Sequence, residues 1–363
     1  YTTNIRLFAT GPFGSGGIPD NVGNPALGWE SVVTYNAGID ATLFNRRLEL
    51  SVDVYDKTTT DMLMRSEMPV FSGIGANWDD IKSPFVNAGN MKNRGIDLSI
   101  TSYNVTKPDF DWRTNVIFSH YKNTLKQLNS EEAELFRYTE YNNAVVLTRT
   151  VVGGPLGRFY GFVAEGLFGS VAEIQNSADQ GIPIGPTGTW LGDVKFKDLN
   201  GDNVIDDKDV TFIGDPNPKF TYGISNSFRY KGLDLTVFLQ GSYGGDILNY
   251  TRRTTERLNN PYVNQLAEVT NRYTTSNPEG TLPRFNQWHN NNWRVSDRFI
   301  EDGSYLRIQN VTLGYNLPSS IVSKVKMRNA RVYVTAQNLY TFSNYSGVSP
   351  ELGAYNSDVL LQN

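Results

Sequence analysis

The sequence predicts an all-β protein, namely part of a large antiparallel transmembrane β-barrel with long extracellular loops and short periplasmic turns. Three observations predict this fold class. Apolar and polar residues alternate with a period of two in many segments. The connections between these segments differ greatly in length, as they do in bacterial outer-membrane barrels. The mean hydropathy of −0.40 excludes a bundle of membrane helices, whereas barrel strands average to a hydrophilic composition.

The first strand pair shows the alternation most clearly. In residues 33–43 the odd positions are Val, Tyr, Ala, Ile, Ala and Leu, and the even positions are polar or Gly. A tight turn at 45–47 leads into residues 48–55, which repeat the pattern. We expect one face of this hairpin to contact outer-membrane lipid, through Val33, Ala37, Ile39, Leu48, Leu50 and Val52. The opposite face is expected to point inward, with Asp40, Glu49 and Asp53.

The same alternation recurs along the chain. It predicts roughly nine or ten strands in all, among them 96–101, 114–118, 220–230, 233–239, 311–317 and 332–336. Lys231 and Gly232 form a two-residue turn, whereas residues 63–86 and 246–302 are predicted to be long loops. In a barrel the carboxylates Asp97 and Asp234 would face the lumen, where they would meet either a specific ligand or only water.

Aromatic residues stand at many strand ends, where the two interfacial girdles of a membrane barrel are expected. They are Tyr35, Tyr55, Trp112, Tyr121, Phe220, Tyr230, Tyr315 and Tyr340. The alternative is that these rings fill the core of a soluble β-sandwich. Periodicity alone leaves both readings open.

The segment 198–209 fits the template of a calcium-binding EF-hand loop, which supplies six to eight oxygen ligands from alternate residues. The predicted ligands are the side chains of Asp198, Asn200, Asp202 and Asp209, the carbonyl of Val204, and Asp206 through a water molecule. Two departures weaken the match, since position 6 is Asn203 rather than Gly and position 12 is Asp rather than Glu. The predicted cofactor is therefore a structural Ca²⁺ ion; the alternative is a polar Asx turn without metal.

Composition and the remaining motifs favour neither an enzyme nor a nucleic-acid-binding protein. The chain has no Cys, its two histidines (His120 and His289) are far apart in sequence, and its net charge of −4 comes without a dense Lys/Arg block. We predict no catalytic residue, and the substrate-binding residues stay unassigned. Trp288, Trp293 and Tyr262 lie in a predicted loop, where they would either stack on sugar rings or pack the base of the loop.

Six sequence blocks occur in an order that resembles one family. They are the Asn-Pro-Ala-Leu-Gly-Trp-Glu of 24–30 and the segments 87–98, 153–168, 192–218, 305–315 and 337–341. Together they resemble SusC-like (SusC/RagA-type) TonB-dependent outer-membrane transporters. A complete barrel of that kind has about 22 strands around a plugged lumen.

The resemblance implies that residues 1–363 are the C-terminal part of such a barrel, with both ends truncated and with the plug domain and TonB-contacting segment elsewhere. It implies a multi-pass protein of the bacterial outer membrane that imports oligosaccharides or peptides. Its expected partners are TonB, a SusD-like surface lipoprotein acting as a lid, membrane lipid and the glycan or peptide substrate. Two alternatives remain: a structural barrel subunit of a larger outer-membrane assembly, and a soluble, calcium-braced glycan-binding β-protein.

Overall fold

The protein is described by a computed structural model over residues 5–7, 17–19, 23–65, 84–128, 134–138, 146–257, 264–286 and 291–351. Its strands are β1 (Ile5–Leu7), β2 (Gly17–Pro19), β3 (Ser31–Leu43), β4 (Leu48–Arg65), β5 (Phe85–Lys107), β6 (Phe110–Leu128), β7 (Glu134–Tyr138), β8 (Val146–Val151), β9 (Arg158–Phe162), β10 (Ala164–Leu167), β11 (Val194–Phe196), β12 (Val210–Gly214), β13 (Phe220–Tyr230), β14 (Leu233–Tyr243), β15 (Asp246–Leu248), β16 (Ile300–Asp302), β17 (Tyr305–Asn316) and β18 (Arg331–Ser343). Its helices are α1 (Val171–Asn176), α2 (Tyr250–Thr255) and α3 (Ser319–Val322), and short 3₁₀ turns cover Ala267–Asn271, Asp297–Phe299 and Ser323–Val325.

Eight long strands form one antiparallel sheet in the order β18-β17-β14-β13-β6-β5-β4-β3. This sheet is the barrel wall, and it confirms the predicted fold class. The eleven residues of β13, at ~3.4 Å each and with the usual ~40° tilt, span ~28 Å, which matches the apolar band of an outer-membrane barrel. The described wall has eight strands, against a predicted total of nine or ten, and ten shorter strands form four smaller sheets outside it.

The register separates the two faces of the wall. Paired residues of neighbouring antiparallel strands point to the same side. One such row consists of Ala41, Leu50, Ile100, Val116, Ile224, Leu239 and Ile308. The adjacent row on the other face contains Asp40, Ser51, Ser99, Ile117, Gly223, Gln240 and Arg307, and Ile117 is its one large apolar member. The predicted lipid and luminal faces are therefore confirmed.

The apolar face is open rather than packed against a second sheet. Ile39 and Val334 are 71% and 73% exposed, although a soluble sandwich would bury such residues in its core. This exposure contradicts the soluble alternative and agrees with a wall whose outer side contacts lipid. No helix in the described part of the chain is long and apolar enough to cross a membrane.

Aromatic side chains form a band at each end of the apolar face. Near the short turns, Trp112 stacks on Phe228 with ring centroids 5.7 Å apart. Near the opposite end, Phe220 stacks on Tyr243 at 5.1 Å. Two of the predicted girdle residues were assigned wrongly. Tyr55 and Tyr121 both pair with Gly95, one from each side. Gly95 lies two residues from Asp97 on the same strand, so both tyrosines face the lumen as Asp97 does.

The connections confirm the predicted asymmetry. Residues 44–47, 108–109 and 231–232 are tight turns at the periplasmic end, where 317–330 also returns through α3. The connections from β4 to β5, from β6 to β13 and from β14 to β17 begin and end at the opposite, extracellular end. Residues 66–83 of the first predicted loop lie outside the described residues. Where it is described, the predicted loop 246–302 has secondary structure of its own, since β15 pairs with β16 and α2 contacts the turn at Asp297–Phe299.

The extracellular connections fold into a compact layer of their own. It contains a four-stranded sheet in the order β12-β9-β8-β7 and the pair β10-β11. Phe162, Val194, Phe196 and Ile205 form its buried apolar cluster. Backbone hydrogen bonds from Leu125 to Gly154 (2.9 Å) and from Lys219 to Tyr243 (2.9 Å) join this layer to the upper ends of wall strands.

Candidate functional site

The candidate calcium loop, residues 198–209, connects β11 to β12 in the extracellular layer. Its sharp curvature comes from two left-handed residues, Gly201 with φ of 78° and Asn203 with φ of 65°. Asn203 occupies the position where the template has Gly, and Asn tolerates the left-handed region better than most residues. The first departure from the template therefore does not prevent the required turn.

Three of the predicted ligands converge. Carboxylate oxygens of Asp198, Asp202 and Asp209 all lie within 4.8 Å of one another. Within the described residues neither Asp198 nor Asp209 forms an ion pair, whereas Asp202 has the Lys208 ammonium at 3.8 Å. Three carboxylates this close repel one another unless a cation lies between them. The arrangement therefore fits a hard divalent cation with oxygen ligands.

Asp209 anchors the loop from inside. Its side chain is fully buried. Its carboxylate accepts hydrogen bonds from the backbone N–H groups of Leu199 (2.8 Å) and Asp206 (2.9 Å). Burial opposes the charged form, but these backbone donors outweigh it and lower the pKa of Asp209 below its ordinary value. Because Oδ1 also accepts from the backbone N–H of Asn200 (3.4 Å), it is Oδ2 that keeps a lone pair for a metal ion.

The other predicted ligands have different surroundings. The Asn200 side-chain oxygen accepts from the N–H of Asp202 at 2.8 Å, and the Asp206 carboxylate accepts from the N–H of Lys208 at 2.8 Å. Asp206 is outside the group of convergent carboxylates, in keeping with a contact through water. Val204 pairs with Asp179 in an isolated β-bridge. The two hydrogen bonds of this bridge involve the carbonyl of Asn203 and the N–H of Ile205, so the Val204 carbonyl is not used by it.

The loop is braced against the rest of the extracellular layer. Ile205, the apolar residue at template position 8, is buried in the cluster with Phe162 and Phe196. Its N–H donates to the Asp179 carbonyl at 2.8 Å. The Arg294 guanidinium lies 4.6 Å from the centroid of the Phe162 ring, and burial lowers the pKa of Arg294 in spite of the nearby aspartates. Residues distant in sequence therefore meet at this loop.

A buried charge network in the same layer was not predicted from the sequence. Arg252 contacts Glu256 at 2.6 Å and Glu301 at 2.7 Å. The Glu301 carboxylate also accepts from the backbone N–H of Ser346 (2.7 Å), beyond the end of β18. Burial by itself would raise the pKa of Glu301, but the hydrogen bonds to its carboxylate outweigh burial, so the pKa lies below its ordinary value. Burial also lowers the pKa of the neighbouring Arg298 to about 10. No local motif encodes this network, since its members come from three separate segments.

The luminal face carries the predicted carboxylates. Asp53 and Asp97 stand directly opposite each other across β4 and β5, at a cavity of about 490 Å³ that Ser119 and Thr221 also line. Asp234 instead forms an ion pair with Arg331. Trp293 is buried, which supports the packing interpretation of this loop aromatic. Trp288, Tyr262 and His289 lie outside the described residues, and His120 is part of β6 as predicted.

Comparison with known proteins agrees with this architecture. Residues 1–339 match the family model "TonB dependent receptor-like, beta-barrel". The chain belongs to this family. Its members are outer-membrane receptors and transporters rather than enzymes, which agrees with the absence of a predicted catalytic residue.

Two relatives illustrate the match within the TonB-dependent receptor family. TonB-dependent receptor P3 of Formosa agariphila is 34% identical over 346 residues, which cover 95% of this chain and 33% of that protein. TonB-dependent receptor SusC of Bacteroides thetaiotaomicron is 27% identical over 344 residues, which cover 91% of this chain and 30% of that protein. The chain thus spans about a third of the length of these relatives. The predicted resemblance to SusC-like proteins is confirmed.

The wall and the extracellular layer also match a solved structure. The RagAB peptide transporter superposes with a TM-score of 0.78 at 25% identity, over 96% of this chain and 36% of that one. The RagAB peptide importer in its "open-open" state gives a TM-score of 0.71 at 26% identity. The fold of this TonB-dependent receptor is therefore that of a RagA-like barrel wall.

Proposed function

We propose that the protein containing this wall imports oligosaccharides or peptides across the outer membrane, driven by TonB, as the barrel subunit of a complex with a SusD-like surface lipoprotein. The single observation that carries the proposal is the superposition on the RagAB peptide transporter over 96% of this chain. The relative named SusC supports it from the sequence side. The TonB dependence rests on the family to which the chain belongs.

The two faces of the wall suit this role. The outer face offers apolar residues to lipid, and the inner face offers a hydrated surface with Asp53, Asp97 and Gln240. Barrels of about 22 strands have a plugged lumen, so a large solute cannot cross by simple diffusion. Import therefore requires an energy input, which TonB would supply from the periplasmic side.

The extracellular layer is the proposed seat of the lipoprotein lid. It is built from the described residues between β6 and β13 and between β14 and β17, and its surface includes exposed polar residues such as Lys208 and Asp202. A lid that opens repeatedly cannot bury an obligate apolar seam, so we expect a broad and polar contact.

Uptake and partner analysis test the proposal. Cells expressing the intact protein should accumulate labelled oligosaccharide or labelled peptide, and accumulation should stop when TonB is deleted. Extraction in mild detergent should recover a SusD-like lipoprotein. Uptake that continues without TonB would indicate a passive pore, and recovery of other machinery without uptake would favour a structural subunit.

We also propose that residues 198–209 bind a structural Ca²⁺ ion. Asp198, Asp202 and Asp209 would supply carboxylate oxygens, Asn200 an amide oxygen, Val204 its carbonyl, and Asp206 a water-mediated contact. The convergence of three carboxylates around one point supports this proposal. The ion would hold the turn between β11 and β12 and thereby stabilise the extracellular layer.

A further inference from the structure

A group of basic residues lies on the outer face of the wall, at its extracellular end. It consists of Lys92 and Arg94 on β5 and Lys122 on β6, and we call it the outer basic cluster. Side chains alternate between the two faces of a strand, and β5 pairs without a shift from Lys92 to the lipid-facing Ile100. Lys92 and Arg94 therefore face the same side as Ile100, and Lys122 joins them because it pairs with Arg94.

The height of the cluster places it at the edge of the membrane. Lys122 follows Trp112 of the lower aromatic band by ten residues on β6, which at ~3.4 Å each and with the usual ~40° tilt amounts to ~26 Å. The apolar band of an outer-membrane barrel is ~25 Å tall. The cluster thus lies where hydrocarbon meets the headgroups of the extracellular leaflet, and long basic side chains reach such headgroups readily.

The cluster carries more positive charge than its neighbours neutralise. Asp56 of β4 is the one carboxylate in the two rows of described residues that contain the cluster. Its Oδ2 atom lies 2.8 Å from both Lys92 Nζ and Arg94 Nε. Three cations and one carboxylate leave a net charge of +2. Moreover, Arg94 and Lys122 pair directly, and like charges directly opposite each other across two strands are unfavourable unless an anion lies near both.

Several donors of the cluster remain available to such an anion. Within the described part of the chain, the two Nη groups of Arg94 and the ammonium of Lys122 have no hydrogen-bond or ion-pair partner. The Arg94 side chain is 67% exposed, so its Nη groups are accessible from outside the wall. A guanidinium binds phosphate through two parallel N–H···O bonds, and an ammonium adds a compact charge beside it.

We propose that the outer basic cluster binds the phosphate group of a phosphorylated lipid in the extracellular leaflet of the outer membrane. The Arg94 Nη groups and the Lys122 ammonium would donate to the phosphate oxygens. Val54 and Ile96 pair with each other one row nearer the membrane centre on the same face, and Val54 is 47% exposed. They would contact the acyl chains of the same lipid. This continuity of a basic row with an apolar row favours a lipid over a soluble anion.

Native mass spectrometry of the intact protein in detergent tests the site. The protein would be titrated with diphosphoryl lipid A, a phosphorylated glycolipid, and the bound lipid counted. We expect Arg94→Gln and Lys122→Gln each to weaken the tightest binding event about tenfold, because charge-assisted hydrogen bonds to phosphate are lost. Lys57→Gln is the matched control. It removes the same charge from β4 next to Asp56, but on the luminal face, so lipid binding should be unchanged.

Two further measurements complete the test. Inorganic phosphate at the concentration of the lipid should not displace it, because free phosphate makes no contact with the apolar row. Arg94→Lys keeps the charge but loses the forked donors, so it should weaken binding less than Arg94→Gln, and it reports on the site even if the latter folds poorly. Equal binding by the wild type, Arg94→Gln and Lys122→Gln, an equal loss in Lys57→Gln, or displacement by inorganic phosphate would overturn the proposal.

Discussion

At the scale of single residues, the candidate calcium loop is governed by where its carboxylates lie. Asp198, Asp202 and Asp209 converge, whereas Asp207, at a position that the template does not use, is outside the group. The close approach of like charges is unfavourable in the absence of a cation. Calcium binding and loop stability are therefore expected to depend on the first three residues and not on the fourth.

Replacing Asp198 and Asp202 together with Ala should abolish calcium binding and leave the barrel folded. The change removes two of the three convergent carboxylates but touches no wall strand. Isothermal calorimetry of the purified protein would measure the binding. Asp207→Ala is the matched control and should bind like the wild type. If the unmodified protein itself gives no calcium heat, the loop is only a polar turn.

The lowered pKa of Asp209 predicts a pH dependence with a definite sign. A carboxyl group whose folded pKa is depressed contributes stability above its unfolded pKa of ~3.9, and this contribution is lost as the pH falls through the lower folded value. In calcium-free buffer, Asp209→Asn should therefore be less stable than the wild type by ~1.5–3 kcal/mol at pH 7, the range for hydrogen bonds to charged groups.

Thermal unfolding followed by tryptophan fluorescence would measure this difference. The gap between the wild type and Asp209→Asn should stay constant from pH 7 to ~5 and close as the pH falls through the lowered folded pKa of Asp209. A gap that persists unchanged in strong acid would mean that the buried charge of Asp209 does not contribute to stability.

At the scale of elements, the wall strands owe their positions to their alternation. Ile224 of β13 lies midway between the two aromatic bands on the lipid face, and Ser225 next to it faces the lumen. The register of the strands determines which of these two residues faces lipid and which faces water, because a shift by one residue would move every side chain of a strand to the opposite face.

Ile224→Arg should destabilise the barrel in lipid by ~2–4 kcal/mol, the usual cost of a charge at the bilayer midplane. Ser225→Arg introduces the same side chain one residue further along and should cost much less, because its charge stays hydrated in the lumen. Reversible urea unfolding in lipid vesicles would compare the two variants. Equal costs would contradict the assignment of the faces.

At the scale of the whole molecule, the contacts described for the calcium loop join it to other segments of the extracellular layer. The calcium loop hydrogen-bonds to Asp179 through the Asn203 carbonyl and the Ile205 N–H, and the Ile205 carbonyl accepts from Arg294 of the 291–295 segment. The wall ladders, by contrast, extend without interruption from β3 to β18. Loosening the loop should therefore affect the layer and not the wall.

Calcium chelation should raise amide hydrogen exchange in residues 178–181 and 198–209 and leave β13 and β14 unchanged. Removing the ion leaves three repelling carboxylates, which weakens the hydrogen bonds between the Asp179 segment and the loop. Exchange measured by mass spectrometry would show this pattern. The Asp198→Ala, Asp202→Ala double variant should show no response to chelator, and a response in the wall ladders would contradict the separation.

Short-range patterns were sufficient to predict much of this protein. A period of two, interrupted by tight turns, identified the wall strands and assigned Ile39 and Asp40 to opposite faces, because neighbouring side chains of a strand point to opposite sides. The spacing of oxygen-bearing residues identified the candidate calcium loop, because all of its ligands lie within twelve consecutive positions of a known template.

Only the tertiary structure decided features whose partners are distant in sequence. Tyr55 and Tyr121 proved to be luminal because register, and not position near a strand end, determines the face. The Arg252–Glu301 network unites α2 with β16, and a bulge at Asn104 lets polar side chains of β5, β6 and β13 hydrogen-bond to one another. Local sequence carries the period of each strand, but contacts between strands depend on the register in which they pair, and that is set by the whole sheet.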